Sequence, residues 1–293
     1  MEKRRLDFLV VGAAKAGTTT LHDLLCQHSK VCLPKMKETH FFDIQANYNR
    51  GIEYYFSFFR NCIIGHSVIG EITPSYMFVD GVARRIYETM GGEVKLIFIL
   101  RHPVKRAYSH FNFNVARGIE NLQFERAIEL ENDRIQISPK YNRRYSYMSR
   151  GFYHKQVLEY LKYFDKAQMH FIIFEEFIEN KADSLKDLLR FLNLDDEIVD
   201  LNIRSNYTAN PKSYIISNLI NGNNVFKRIV KIFLNPRARR LFRNSLRDLN
   251  LGSQLNKNEL NSETVKILTD KYFSQDIISM EEIIGRKITK WHT

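Results

Sequence analysis

Residues 7–21, DFLVVGAAKAGTTTL, constrain the fold more than any other stretch of the 293-residue chain. The apolar residues 8–11 predict a short buried strand, and Gly12 and Gly17 bound a turn of small residues that opens into a helix. This geometry binds phosphate, because backbone N–H groups and the positive helix end point at the anion and glycine permits its close approach. Lys15 adds a mobile positive charge. The alternative is an ordinary strand-to-helix turn with a solvated lysine.

The loop differs from the Walker A motif, G-x-x-x-x-G-K-[ST], in the position of its lysine. Gly12 and Gly17 have the spacing of that motif, but Thr18 occupies the lysine position and Lys15 precedes the second glycine. We therefore expect a phosphate-binding loop that serves a different transfer reaction.

The order of predicted elements indicates an α/β fold. Further buried strands are predicted at residues 67–71, 94–100 and 169–174, with helical patterns between them. Strands separated by helices predict a central parallel sheet flanked by helices, a P-loop-like three-layer fold that binds ligands beyond the carboxyl ends of the strands. The strand signal disappears after Leu194, and residues 213–249 and 261–284 read as helices. We predict a single domain over residues 1–293, with an α/β core at 1–194 and a helical cover at 195–293.

The charge of the chain favours an anionic partner. Lysine and arginine total 44, and aspartate and glutamate total 33, which gives a formal net charge of +11 at pH 7. A nucleotide, an acidic glycan, a nucleic acid and a membrane surface all suit this charge. No basic ribbon interleaved with aromatic residues supports a nucleic-acid partner, so we predict none.

The cysteines and the hydropathy pattern favour a cytoplasmic location. Cys26, Cys32 and Cys62 include no C-x-x-C pair and no histidine at zinc spacing. An odd, sparse cysteine count is typical of a reducing cytosol rather than of a disulfide framework. The sequence contains neither an apolar signal region nor a run of 18 apolar residues, so we expect no stable membrane insertion.

A second motif follows the predicted strand at residues 94–100. A Walker B strand ends in an aspartate that holds magnesium, whereas this strand ends in Arg101. A guanidinium there suits a bidentate grip on a second phosphate without a metal, and Ser109 on the next helix could donate to the same group. The alternative is an arginine paired with a surface carboxylate.

Two further segments supply candidate catalytic residues. Glu71 falls at the end of a predicted strand, where a carboxylate could take a proton from an acceptor hydroxyl, although a cap or a salt bridge is the alternative. Lys37 and His40 lie in a charged and aromatic loop and could face the transfer centre, and a solvated loop over a plug of Phe41 and Phe42 is equally consistent with the sequence.

Together these motifs resemble the sulfotransferases that use 3′-phosphoadenosine-5′-phosphosulfate (PAPS), in particular the bacterial and heparan-sulfate-type branch. The resemblance covers nearly the whole chain. Residues 15–20 match the family's 5′-phosphosulfate loop, residues 101–109 match its 3′-phosphate element, and Phe174-Glu175-Glu176 resembles its Tyr-Glu-Asp. The matching segments are residues 15–20, 37–43, 47–51, 70–76, 101–109, 151–153, 174–176 and 272–291.

The resemblance implies a role for each matching residue. Lys15 would bind the bridging oxygen between phosphate and sulfate, and Glu71 would be the general base. Lys37 remains a catalytic candidate because of its place in the charged loop. The aromatic ring of Phe174 would lie near the adenine. The 5′-phosphate would contact the phosphate loop and the 3′-phosphate would contact the Arg101 segment. The nucleotide-binding set is therefore Lys15, Ala16, Gly17, Thr18, Thr19, Thr20, Arg101, Ser109 and Phe174. The reaction would be in-line sulfuryl transfer that leaves adenosine 3′,5′-bisphosphate, with no metal.

The sequence departs from the family pattern at two places. Ile72 follows Glu71, where the heparan-type enzymes usually have lysine, so one positive charge near the acceptor is missing. The lysine- and glycine-rich loop that closes over the 3′-phosphate has no clear counterpart. Lys212 or the arginines between residues 237 and 247 are candidates for that role, and a solvated helix face is the alternative for the arginines.

Two other functions compete with the sulfotransferase hypothesis. A P-loop kinase would use the same loop, but the chain lacks both the Walker lysine and the Walker B aspartate. A non-catalytic binder of acidic glycan or nucleic acid would follow from the charge alone. For the sulfotransferase, the acceptor could be a carbohydrate, a lipid-linked glycan or a small phenol, and we favour a cell-surface polysaccharide or glycolipid precursor. The oligomeric state cannot be read from the sequence.

Overall fold

The computed structural model describes residues 6–60, 62, 68–202, 209–211, 251–254 and 260–292. The chain forms two compact units. The first comprises residues 1–106, 150–205 and 266–293, and the second comprises residues 107–149 and 206–265.

The first unit is built on a five-stranded sheet in the order β2-β3-β1-β4-β5, and every neighbouring pair is parallel. The predicted central parallel sheet is confirmed. Its strands are β1 (Phe8–Gly12), β2 (Val31–Cys32), β3 (Val68–Ile72), β4 (Lys95–Leu100) and β5 (Met169–Ile173).

Helices flank this sheet. The first half of the unit contains α1 (Thr18–Leu25), α2 (Gln45–Tyr48), α3 (Gly51–Phe56) and α4 (Val82–Met90), and α5 (Pro103–Ala116) begins directly after β4. Later in the chain come α9 (Tyr153–Leu161), α10 (Phe174–Glu179), α11 (Lys181–Phe191), α12 (Ser262–Tyr272) and α13 (Ser274–Ile284).

The central strands form the core. All five residues of β1 are buried, and so are residues 96–100 of β4. A strand covered on both faces reads as a continuous apolar run, which is why these two strands are the clearest in the sequence. Because β1 pairs parallel with both β3 and β4, the carboxyl ends of these three strands lie at one edge of the sheet.

The second unit contains the rest of α5 followed by α6 (Phe124–Glu129), α7 (Glu131–Gln136) and α8 (Pro139–Tyr145). A buried carboxylate organises these helices, since Glu120 accepts hydrogen bonds from the Tyr147 hydroxyl at 2.8 Å and from Arg134 at 2.7 Å. Two short strands, β6 (Ala209–Pro211) and β7 (Leu251–Gln254), pair antiparallel.

Three sequence-based expectations need correction. The region after Leu194 is not purely helical, because β6 and β7 lie there, and the helix predicted over residues 213–249 lies outside the described residues. The sequence of residues 80–89 predicts a helix capped by Asp80, whereas the helix begins at Val82 and its N-cap residue is Gly81, which has no side chain to act as a cap.

The third correction concerns the cysteines, which were expected to be unpaired. Cys32 and Cys62 form a disulfide with their Cα atoms 5.6 Å apart, while Cys26 is free and exposed. In the described part of the chain, no helix is both long enough and apolar enough to cross a bilayer.

Candidate functional site

The phosphate loop, residues 12–20, connects β1 to α1 as predicted. Lys15 and Gly17 both have positive φ angles, 73° and 92°. A Cβ atom on Gly17 would lie 2.7 Å from the Phe174 ring, so both the backbone conformation and the close approach require glycine there. Gly17 provides no side-chain cap for α1. The first turn of an α-helix has no intrahelical partners for its N–H groups, so this end of α1 suits an anion.

Two arginines after β4 bind carbonyl oxygens of the phosphate loop. Arg101 donates from Nη1 to the Lys15 carbonyl at 3.3 Å, and the fully buried Arg106 donates to the Ala14 carbonyl at 3.4 Å. These contacts engage the negative ends of two loop peptides, which would otherwise repel an anion. Arg101 and the Lys15 backbone thus belong to one site.

The backbone and side chain of Arg101 are held by neighbours from distant parts of the sequence. Its carbonyl accepts a hydrogen bond from the Tyr153 hydroxyl at 2.8 Å, and its guanidinium carbon lies 4.8 Å from the centre of the Phe174 ring. Phe174 thus contacts both sides of the site, because it also packs against Gly17.

The residue after Arg101 is anchored to the end of the chain. The Glu175 carboxylate accepts hydrogen bonds from the backbone N–H of His102 and from the indole N–H of Trp291, each at 3.1 Å. Burial lowers the pKa of His102 to about 4, so this ring is neutral at physiological pH and adds no charge to the site.

The remaining predicted nucleotide-binding residues differ in exposure. Ala16 and Thr18 are buried, and Thr19 and Thr20 are partly exposed. Ser109 lies on α5 in the second unit and is partly exposed.

The Lys37 loop, residues 35–43, approaches the start of α1. The Lys37 ammonium donates to the Thr19 hydroxyl at 3.0 Å and lies 3.6 Å from the Glu38 carboxylate. Burial lowers the pKa of Lys37, and the charge of Glu38 opposes this effect. Lys37 therefore lies beside the phosphate loop, and its role at a transfer centre stays a prediction.

Glu71 is fully enclosed rather than open to the site. Both of its oxygens accept hydroxyl donors. Oε1 accepts from Thr39 (2.6 Å), Thr73 (2.6 Å) and Tyr76 (2.8 Å), and Oε2 accepts from Tyr55 (2.7 Å). Its side chain and those of all four donors are buried. Burial raises the pKa of Glu71, and the four hydroxyl donors oppose that rise. Neither the enclosure nor the occupied lone pairs suit a group that must reach an acceptor.

A histidine–carboxylate pair that the sequence analysis did not identify lies in the Lys37 loop. Asp43 is buried and lies 3.0 Å from Nδ1 of His40, and Ser75 donates to Asp43 at 2.6 Å. The hydrogen bond to Asp43 raises the pKa of His40, while burial opposes it. Burial alone would raise the pKa of Asp43, but its bonds from His40 and Ser75 hold that pKa below the usual value. The one sequence feature that could have predicted this pair is the spacing of three residues between His40 and Asp43.

Glu38 completes this cluster. Its carboxylate lies 3.5 Å from Nε2 of His40, and the Glu38 side chain is 37% exposed. Glu38 is therefore a partly exposed carboxylate. It lies close to the phosphate loop, because its neighbour Lys37 donates to Thr19 of that loop. The sequence analysis did not single it out.

Comparison with known proteins gives a consistent result. The profile of the family described as "Sulfotransferase domain" matches residues 5–228. Heparan sulfate glucosamine 3-O-sulfotransferase 5 from Homo sapiens is 29% identical over 208 residues, which cover 68% of this chain and 57% of that protein. A bifunctional heparan sulfate N-deacetylase/N-sulfotransferase 1 from Caenorhabditis briggsae is 30% identical over 226 residues, covering 74% of this chain and 25% of that protein. The chain thus spans about half or less of the length of these curated relatives.

A solved structure supports the fold. The crystal structure of a sulfotransferase from Alicyclobacillus acidocaldarius has a TM-score of 0.71 at 24% identity, and the match covers 99% of this chain and 100% of that one. The predicted P-loop-like fold is therefore confirmed.

Proposed function

The chain belongs to the sulfotransferase domain family of enzymes, and from this premise we propose that it transfers the sulfuryl group of PAPS to a hydroxyl or amine of a glycan or glycolipid. The observation that supports this best is the hydrogen bond from the Arg101 guanidinium to the Lys15 backbone carbonyl, because it brings the Arg101 segment and the lysine-bearing phosphate loop into one site. Family membership also favours sulfuryl transfer over the kinase alternative.

The residues of the site suit a nucleotide with two anionic ends. We assign the 5′-phosphate to the loop N–H groups and threonines at the start of α1, with Lys15 at the bridging oxygen. We assign the 3′-phosphate to Arg101, while the contribution of Ser109 to its binding stays a prediction from the sequence. Phe174, which packs on Gly17, is assigned to the adenine side of the nucleotide. When bound, PAPS supplies an activated sulfuryl group, and the chain supplies position and charge.

We propose Glu38, rather than the Glu71 of the sequence-based prediction, as the general base. A general base must come within hydrogen-bond distance of the proton that it takes. Glu71 is enclosed and its oxygens already accept four hydroxyl donors, whereas the Glu38 carboxylate is partly exposed beside Lys37 and His40. The enclosure of Glu71 argues against the earlier assignment.

These residues account for the proton and for the leaving group of the proposed reaction. The acceptor oxygen or nitrogen attacks sulfur and gives its proton to Glu38, while the bond from sulfur to the bridging oxygen breaks. Lys15 stabilises the negative charge on the departing adenosine 3′,5′-bisphosphate. Lys37, which donates to the Thr19 hydroxyl, stabilises the oxygens of the sulfuryl group in the transition state. No metal takes part in this proposal.

The acceptor and the location of the protein remain proposals. The heparan-sulfate relatives favour a glycan acceptor, and nothing in the proposal calls for a nucleic-acid partner or for stable membrane insertion. The predicted cytoplasmic location stays a prediction. The Cys32–Cys62 disulfide removes one of its supports, because disulfides persist mainly in oxidising compartments.

A transfer assay with labelled PAPS and a panel of glycans and glycolipids tests this function. Lys15→Ala should lower turnover at least about 100-fold, as expected when a charge-stabilising donor is removed. Lys162→Ala is the matched control, because Lys162 is an exposed lysine paired with Glu159. Glu38→Gln should also abolish transfer while leaving the affinity for adenosine 3′,5′-bisphosphate unchanged. Full transfer by Lys15→Ala would contradict the proposal.

A further inference from the structure

The carboxylate of Glu71 is surrounded by four hydroxyl groups, those of Thr39, Tyr55, Thr73 and Tyr76. Each of the four hydroxyls around it has a single proton, and each donates that proton to Glu71. Their oxygen lone pairs are therefore turned towards other donors. For three of these hydroxyls, those of Thr39, Thr73 and Tyr76, the donors are backbone N–H groups of the Lys37 loop, and the Thr39 oxygen accepts from the Phe41 N–H at 3.2 Å.

The backbone contacts follow one direction. The Thr39 N–H donates to the Thr73 hydroxyl at 3.1 Å. The Phe41 N–H donates to the Tyr76 hydroxyl at 3.0 Å, and the Phe42 N–H contacts the same oxygen at 3.4 Å. The loop backbone is thus bound to hydroxyl oxygens whose protons point at Glu71.

We propose that ionised Glu71 is a positioning residue that orients these hydroxyls as acceptors and thereby fixes the backbone of residues 39–42. This segment directly follows Glu38 and includes His40, so it sets the position of both side chains. The inference rests on the proposed function, because it assigns the base to Glu38 and the support of the base to Glu71.

The chemistry of a carboxylate explains why the charge matters. An ionised carboxylate only accepts hydrogen bonds and has about four lone-pair sites, which matches the four donors. A glutamine at this position has one oxygen and an amide that itself needs acceptors. Some of the hydroxyls would then have to turn their protons elsewhere and lose their bonds to the loop N–H groups.

Three variants test the proposal. Glu71→Gln removes the charge and keeps the shape, and Tyr76→Phe removes the hydroxyl that binds the Phe41 and Phe42 N–H groups. Tyr147→Phe is the matched control, since Tyr147 is also a buried tyrosine whose hydroxyl donates to a buried carboxylate, that of Glu120. It lies in the second unit, away from the Lys37 loop in sequence.

Hydrogen exchange and kinetics are then measured together. We expect Glu71→Gln and Tyr76→Phe to raise amide exchange in a peptide covering residues 39–42 by about 10- to 100-fold. Both should lower kcat for transfer by a similar factor, because the lost hydrogen bonds fix the segment next to the proposed base. The KM for PAPS should stay within about twofold of the wild-type value, because the substitutions leave the phosphate loop unchanged. Tyr147→Phe should change neither quantity.

The outcomes are separable. If Glu71→Gln abolishes transfer while exchange in residues 39–42 stays at the wild-type rate, Glu71 acts chemically and the inference is overturned. It is also overturned if Tyr76→Phe leaves both exchange and kcat unchanged. Should the wild type show no transfer from PAPS, the proposed function fails, and the exchange rates alone still test the anchoring of the loop.

Discussion

Replacing Gly17 with alanine tests the geometry on which nucleotide binding depends. Gly17 has a φ of 92°, and an added Cβ would lie 2.7 Å from two atoms of the Phe174 ring. The left-handed conformation costs a non-glycine residue about 1–2 kcal/mol. Forcing an extra carbon against a packed ring costs about 1–3 kcal/mol. The free energy of unfolding should therefore fall by about 2–5 kcal/mol.

A second background separates the two costs. In Phe174→Leu, the ring that a Cβ would meet is gone, so the steric part of the Gly17→Ala cost should disappear. The conformational part of about 1–2 kcal/mol should remain, because it depends only on the backbone of residue 17. The two substitutions should thus be coupled by about 1–3 kcal/mol, as expected for residues in contact.

Thermal denaturation of the wild type, Gly17→Ala, Phe174→Leu and the double variant measures this coupling. At about 2 °C per kcal/mol for a domain of this size, Gly17→Ala should lower Tm by about 4–10 °C. Its affinity for adenosine 3′,5′-bisphosphate should fall at least about tenfold, because the phosphate loop must shift. An equal cost of Gly17→Ala in both backgrounds would refute the contact. An unchanged Tm and affinity would refute the whole description of the loop.

Two further predictions concern the segment that contains the proposed base. Cys62→Ser opens a disulfide that closes a loop of 30 residues, so the free energy of unfolding should fall by about 3–4 kcal/mol in chemical denaturation. Cys26→Ser, at the free and exposed cysteine, is the control, and equal stability of both variants without reductant would show that the bond to Cys32 does not form. For His40, the pKa is raised in the folded state, so its stabilising contribution is complete below the ordinary value of 6.5 and is lost as pH rises through the folded pKa. The lowered pKa of Asp43 makes the contribution of that carboxylate complete above 3.8. The difference in Tm between the wild type and His40→Gln should therefore be greatest between pH 3.8 and 6.5 and should shrink above that range, whereas a difference that grows with pH would contradict the pairing.

The phosphate loop could be predicted because all of its information is local. Strand β1, the two glycines and the threonines of α1 are consecutive, and their pattern depends on little beyond burial and backbone geometry. The same holds for β4, whose continuous apolar run leads directly to Arg101. Both predictions required only that strands from one parallel sheet end at the same edge.

The environment of Glu71 could not be predicted from the sequence because its partners come from separate segments. Thr39 and Tyr55 precede it by 32 and 16 residues, and only the fold brings their hydroxyls to its oxygens. A glutamate at a strand end looks the same in sequence whether it is open or enclosed. The sequence therefore predicted Glu71 as the general base, and only the fold shows that Glu71 is buried whereas Glu38 is partly exposed.

The disulfide and the short strands were missed for other physical reasons. A count of three cysteines does not show which two meet, and the two that do, Cys32 at the end of β2 and Cys62, are 30 residues apart in the sequence. The strands β6 and β7 have three and four residues, too few for an alternating pattern to appear.

In the proposed function, one site binds both anionic ends of a nucleotide, with Arg101 on the 3′-phosphate. Isothermal titration of adenosine 3′,5′-bisphosphate and of adenosine 5′-monophosphate measures it directly, because the two ligands differ only in that phosphate. Arg101 also binds the Lys15 carbonyl, so Arg101→Ala should weaken both ligands, and the informative quantity is their ratio. We predict that the wild type prefers the bisphosphate by about 10- to 100-fold and that Arg101→Ala reduces this preference to about threefold or less. Equal affinities in the wild type, or an undiminished preference in Arg101→Ala, would contradict the claim.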